Sequence, residues 1–201
     1  MPTSPRRYIR KAVATLPTGP LVGLLYRIAS SRRRGAMDLD EVLAVVELFE
    51  SVGVPYFLAG GWGIDALRGR PSRPHDDLDI VIDDFDRHAN RAITSLASRS
   101  YAHTEVNDRP LWMQRRGELD DQDGHHVELL TIGRRALESL AEPGAPSDRT
   151  TLFAIGSLGG RPVRCLSAYA QMLFHTGFER RLRDIHDQWI LRAPRANRGF
   201  E

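Results

Sequence analysis

The sequence predicts an α+β chain, a mixed sheet flanked by helices and followed by further helices at the C-terminal end. Three observations carry this. Apolar residues recur at helical spacing from residue 38 onward. Short apolar runs at 55–59, 78–82 and 127–132 have strand length and are bounded by glycine, proline or acids. The last third then returns to helical spacing.

In chain order, Leu39, Val42, Leu43, Val46 and Phe49 form one face of an amphipathic helix, with acids in its first turn and Gly53 placed to stop it. Pro55 to Ala59 reads as a buried strand ending in a tight Gly60-Gly61 turn, and Trp62 to Leu67 as a short helix. A polar loop, Arg68 to His75, leads to a second strand at Leu78–Ile82. Asp84 is placed to cap a helix carrying Phe85, Ala89, Ile93 and Leu96 on one side. Strands are predicted at Tyr101–Val106, Leu111–Arg115 and Val127–Ile132, with acidic, loop-like Gly117–Gly124 between the last two. Leu137–Leu140 reads as a helix fragment and Glu142–Pro146 as a connector. Gly159-Gly160 marks a hairpin turn before Pro162–Cys165, and Ser167 caps a helix through Met172, Leu173 and His175 that Gly177 ends. A final helix carries Ile185, Trp189 and Ile190.

With 201 residues, 41% apolar and 27% charged, the chain supports one core with at most a small appended subdomain. Apolar stretches such as Leu43–Val46 fall far short of the ~20 residues a membrane span needs. A single cysteine, Cys165, excludes an internal disulfide and a cysteine-based zinc site, and a reducing cytoplasmic setting is expected. Net charge is +2, but residues 1–37 carry eight basic residues and no acid, leaving −6 for the rest. This division predicts a basic arm over 1–37, a body over 38–192 and a tail over 193–201. Such an arm suits an anionic partner (nucleic acid, a lipid surface or an acidic protein), and a solubilising tail is the alternative. Pro17, Gly19 and Pro20 interrupt the apolar stretch that a secretory signal requires.

Four Asp-x-Asp pairs occur among the 16 aspartates. Asp38/Asp40 and Asp84/Asp86 open helices and Asp121/Asp123 lies in a hydrophilic loop. Asp77/Asp79 alone heads an apolar strand, where residues two apart share a face roughly 6.5 Å from each other. Hard oxygen donors so placed suit magnesium, and two such ions activate an attacking oxygen and stabilise a leaving one in phosphoryl chemistry. Gly60 and Gly61 offer backbone that a phosphate can approach, with the following helix aiming amides at the anion. Arg70, Arg73 and His75 are placed to reach the same triphosphate. Glu128, an acid inside an apolar strand, is the candidate third metal ligand and the base that takes the acceptor's proton. An edge-strand position facing solvent is its alternative.

Gly60-Gly-Trp62-Gly-Ile-Asp65 followed by Arg73-Pro-His75-Asp-Asp77-Leu-Asp79 resembles the lincosamide and aminoglycoside nucleotidyltransferases. The resemblance continues at Gly160–Ser167, Gln171–Phe178 and Asp184–Asp187, covering roughly residues 38–192. It implies the polymerase-beta-type nucleotidyltransferase fold and transfer of a nucleoside monophosphate from an NTP to a hydroxyl, with two Mg2+. It implies metal ligation by Asp77, Asp79 and Glu128, the last standing where the family commonly has Asp. It puts Trp62 and Arg183 with the nucleotide, and Asp184 and Asp187, three apart on a helix, toward the acceptor side of the cleft. Leu130 replaces a histidine frequent in the family, so acceptor contacts are expected to differ. The arm departs from the compact lincosamide-modifying enzymes. Related toxins that act on transfer RNA ends make an RNA acceptor the second reading, with a catalytically silent nucleotide-binding module as a third.

Overall fold

The computed structural model describes residues 35–105, 113–132 and 152–174, together with Asp187 and Leu191. The basic residues of the arm, the predicted helix fragment at 137–140, the connector at 142–146, His175, Gly177 and most of the final helix lie outside the described residues.

Helix α1 (Leu39–Ser51) begins where Asp38 accepts a hydrogen bond from the Glu41 amide at 2.9 Å, and Gly53, at φ 67°, follows its end. Strand β1 (Tyr56–Leu58) runs directly into α2 (Gly60–Arg68). The expected Gly60-Gly61 turn is therefore the first turn of the helix, because Gly60 at φ 55° makes the strand-to-helix corner by itself. Strand β2 (Leu78–Ile82) leads to α3 (Phe85–Ala97). Asp84 occupies the N-cap position but at φ 52°, so its side chain makes no capping hydrogen bond, contrary to expectation.

The remaining strands are β3 (Ala102–Glu105), β4 (Met113–Asp120), β5 (His126–Ile132), β6 (Phe153–Leu158) and β7 (Arg161–Leu166), followed by α4 (Ala168–Phe174). Ser167 caps α4 through its hydroxyl at 3.2 Å from the Ala170 amide. The sequence predicts a fourth strand ending at Arg115 and a loop over Gly117–Gly124. Instead β4 runs to Asp120, and only Asp121–His125 turns, with Asp121 accepting from the amides of Asp123 and His125. The difference has a physical cause. Leu119 points into the core while Glu118 and Asp120 point out, so one acidic face made a strand look like a polar loop.

The seven strands form one mixed sheet in the order β3-β4-β5-β2-β1-β7-β6. β1 pairs antiparallel with β2 and parallel with β7, and β2 pairs parallel with β5. Tyr56, Leu58, Leu78, Ile80, Ile82, Val127 and Leu129 lie in one continuous core with the buried faces of α1 and α3. On the opposite face Val81 and Leu130 pack in a smaller cluster with Leu166, Ala170 and Leu173. Among the described residues no helix is long and apolar enough to cross a membrane.

Candidate active site

The second face of the sheet changes character along each strand. Val81 and Leu130 are buried beside α4, whereas Asp79 and Glu128, one alternation earlier on the same strands, are only partly covered. Asp79 and Glu128 are direct partners in the parallel β2–β5 register, and Glu118 on β4 is the antiparallel partner of Glu128. Three carboxylates thus form a row across three adjoining strands, spaced by the ~4.8 Å strand separation. The next row toward the sheet edge holds His126 and its partner Asp120, and Asp77 sits one residue ahead of β2.

Within this face His126 faces the Asp120 carboxylate at 2.7 Å through Nδ1, and its Nε2 lies 3.6 Å from Glu128. Glu128 and, next, Asp120 push the His126 pKa up to about 9, against the opposing effect of burial. Ligand atoms of Glu118, His126 and Glu128 all lie within 4.8 Å of one another. Glu128 is therefore gathered toward β4 and His126. Neither Glu118 nor His126 was picked out from the sequence. The usable signal was the alternation Glu118-Leu-Asp120 opposite His126-Val-Glu128.

Gly60 places α2 against the acids. A Cβ there would lie 1.9 Å from Asp79 Oδ2, so the absent side chain makes room for the carboxylate at the start of the helix. Gly61 is crowded by His75 and Arg73, its Cβ falling 2.1 Å from His75 Nδ1 and 2.9 Å from Arg73 Nη2. Both residues are buried. Arg73 holds Asp187 with two bonds, Nε at 3.0 Å and Nη2 at 2.7 Å. His75 Nε2 stands 2.6 Å from Asp65, and the Trp62 ring tilts against the imidazole at a centroid distance of 4.8 Å. Burial, together with Arg73, holds the His75 pKa down although Asp65 opposes it. Arg70 is exposed. The structure thus brings Gly60, Gly61, Trp62, Arg73, His75, Asp77, Asp79 and Asp187 into one contiguous region beside Glu128. Arg183 and Asp184 lie outside the described residues.

The chain matches the aminoglycoside-2''-adenylyltransferase family over residues 41–191. It is 33% identical over 144 residues to a lincosamide resistance protein of Staphylococcus haemolyticus, spanning 69% of this chain and 84% of that protein. It is 31% identical over 134 residues to a 2''-aminoglycoside nucleotidyltransferase of Klebsiella pneumoniae, spanning 65% of this chain and 70% of that one. Among solved structures it resembles the lincomycin-bound lincosamide antibiotic adenylyltransferase LnuA. There the TM-score is 0.62 at 27% identity, covering 79% of this chain and 99% of LnuA. The mixed sheet with flanking helices is accordingly the polymerase-beta-like nucleotidyltransferase fold expected from the sequence. The chain belongs to the aminoglycoside-2''-adenylyltransferase family and is a nucleotidyltransferase.

Proposed function

We propose that the protein transfers a nucleoside monophosphate from an NTP, with Mg2+, to a hydroxyl of a small antibiotic-like acceptor of the lincosamide or aminoglycoside kind. The observation that carries this reading is the direct register of Asp79 with Glu128 on the partly covered half of the sheet, beside the opening of α2. The donor set fits the ion: Asp77, Asp79 and Glu128 offer hard carboxylate oxygens, which magnesium prefers. Bound there, Mg2+ would supply charge neutralisation of the triphosphate and of the leaving oxygen.

The rest falls to the chain. The amides that open α2 lack intrahelical partners, as at any helix start, and Gly60 stands against Asp79, a placement suited to a phosphate. Exposed Arg70 is placed to meet the triphosphate directly, with Arg183 as a further cation, while buried Trp62, Arg73 and His75 shape the nucleotide site from behind. Glu128 takes the proton of the acceptor hydroxyl as its oxygen bonds to the α-phosphorus. The bond from that phosphorus to the β-phosphate oxygen breaks, and pyrophosphate leaves with the electron pair. Asp184 and Asp187 belong to the acceptor side, Asp187 acting from its ion pair with Arg73. The acidic face formed by Glu118, Asp120 and Glu128 favours a cationic acceptor.

Pyrophosphate release from ATP, GTP, CTP and UTP, each with Mg2+ and with a lincosamide, an aminoglycoside or bulk transfer RNA, tests the reading. Release with one of the antibiotics is expected. Release with transfer RNA alone, lost when residues 1–34 are removed, would assign the acceptor to RNA and the arm to substrate binding. The truncation stops at 34 because Met37 is 2% exposed and bridges the backbone of His75.

A further inference from the structure

We propose that Asp65 is a positioning residue that, through His75 and Ser72, fixes the loop delivering Asp77 and Asp79 to the head of β2. This rests on the metal-binding reading of those two acids. Asp65 lies on α2 and is fully buried. Its Oδ2 accepts the Ser72 amide at 3.0 Å and the His75 Nε2–H at 2.6 Å, and its carbonyl accepts the amides of Gly69 at 2.9 Å and Arg70 at 3.2 Å. One residue thereby holds both ends of the 69–75 segment. A single residue, Asp76, separates His75 from Asp77, so any rotation of the His75 backbone carries Asp77 with it.

The rest of the surroundings leaves His75 little freedom. The Trp62 ring lies against one side, Gly61 beneath Nδ1, and the backbone bridge to Met37 holds the main chain. Histidine oriented by a carboxylate beside a metal site is a recurrent way of fixing ligand geometry, and here the oriented group sits one step behind the ligands. A chain that needed only a rigid loop would gain more from apolar packing than from a buried carboxylate. Moreover Asp65 Oδ1, His75 Nδ1, Trp62 Nε1 and Ser72 Oγ are all buried with no hydrogen-bond partner among the described residues.

Mn2+ binding to the full chain, with a non-hydrolysable ATP analogue and followed by the electron paramagnetic resonance of the free ion, tests the assignment. Asp65→Asn is expected to weaken Mn2+ affinity by about 10- to 100-fold. Val45→Ala, a buried α1 change remote from the site, is expected to lower the melting temperature while leaving affinity in the folded protein unchanged. His75→Ala is expected to weaken affinity similarly, with His75→Gln restoring part of it because its amide donates to Asp65. Unchanged affinity in Asp65→Asn while Asp79→Asn abolishes binding would overturn the inference. So would equal affinities for His75→Ala and His75→Gln, an outcome still available should Asp65→Asn not fold. Wild-type affinity in Asp79→Asn would instead overturn the metal reading beneath it.

Discussion

Arg73 and Asp187, 114 residues apart in the chain, form a two-bond ion pair whose side chains are 4% and 1% exposed. The pair fastens the loop ahead of β2 to the C-terminal part of the molecule. Removing one partner strands a buried charge, so Asp187→Ala is expected to cost about 3–5 kcal/mol in denaturant unfolding. Replacing both, as in Arg73→Met with Asp187→Leu, is expected to recover much of that stability, and a double variant no more stable than Asp187→Ala would contradict this account.

Gly60 and Gly69 both have positive φ, 55° and 83°, but differ in what surrounds them. Nothing lies within 4 Å of a Cβ at Gly69, so Gly69→Ala is expected to cost about 1 kcal/mol with activity retained. At Gly60 the new methyl meets the Asp79 carboxylate. If Asp79 ligates metal as proposed, Gly60→Ala is expected to reduce nucleotidyl transfer at least ~10-fold beyond any loss of folded protein, since misplacing a reacting-site group by about 1 Å costs at least that much. Parallel activity assays and thermal melts of the two variants separate the effects.

The raised pKa of His126, about 9 in the folded protein against 6.5 for an unperturbed histidine, ties stability to pH. The folded state holds this proton more tightly, so the stabilisation is complete below pH 6.5 and is lost as pH rises through about 9. Glu128 makes the larger part of the shift and solvent-exposed Asp120 the smaller, and screening reduces the expected contribution to about 1–2 kcal/mol. Denaturant titrations of wild type and His126→Gln, both with chelator, should differ most below pH 6.5 and converge above 9. A constant gap across that range would contradict the assignment.

Glu118 and Glu128 are cross-strand partners but carry different chemistry in the proposed reaction. Glu128→Gln removes the base and is expected to lower kcat at least ~10²-fold. Glu118→Gln removes only negative charge beside it and is expected to act mainly on KM for a cationic acceptor. Steady-state kinetics with the acceptor varied distinguishes them, and equal kcat losses would make the two acids equivalent.

The sequence was most legible where local chemistry and packing agree. Asp38, Ser167 and Gly53 mark real helix ends, and the β2 run Leu78–Ile82 is a strand at its predicted limits. Asp77, Asp79 and Glu128 stood out because acids adjoin apolar runs. Reading failed where function overrides pattern. The acids of β4 hid a strand, and Gly60 hid the start of a helix, since its dihedral angles serve the close approach of Asp79. The partnerships of Asp65 with His75 and of Arg73 with Asp187 were beyond reach for another reason. They are tertiary, and no local spacing records which buried charges meet.

Among the described residues strand β2 is the fourth of seven, with three strands on either side. Fraying that begins at the outer strands must pass through most of the hydrogen-bonded network before it reaches Asp79, so the amides around that residue should be among the last to exchange with deuterium. Asp77 lies one residue outside the strand, so its place depends on the Asp65–His75 contact and the Met37 bridge rather than on the central ladder. Gradual heating should therefore loosen one half of the aspartate pair before the other, and loss of activity should precede loss of the sheet.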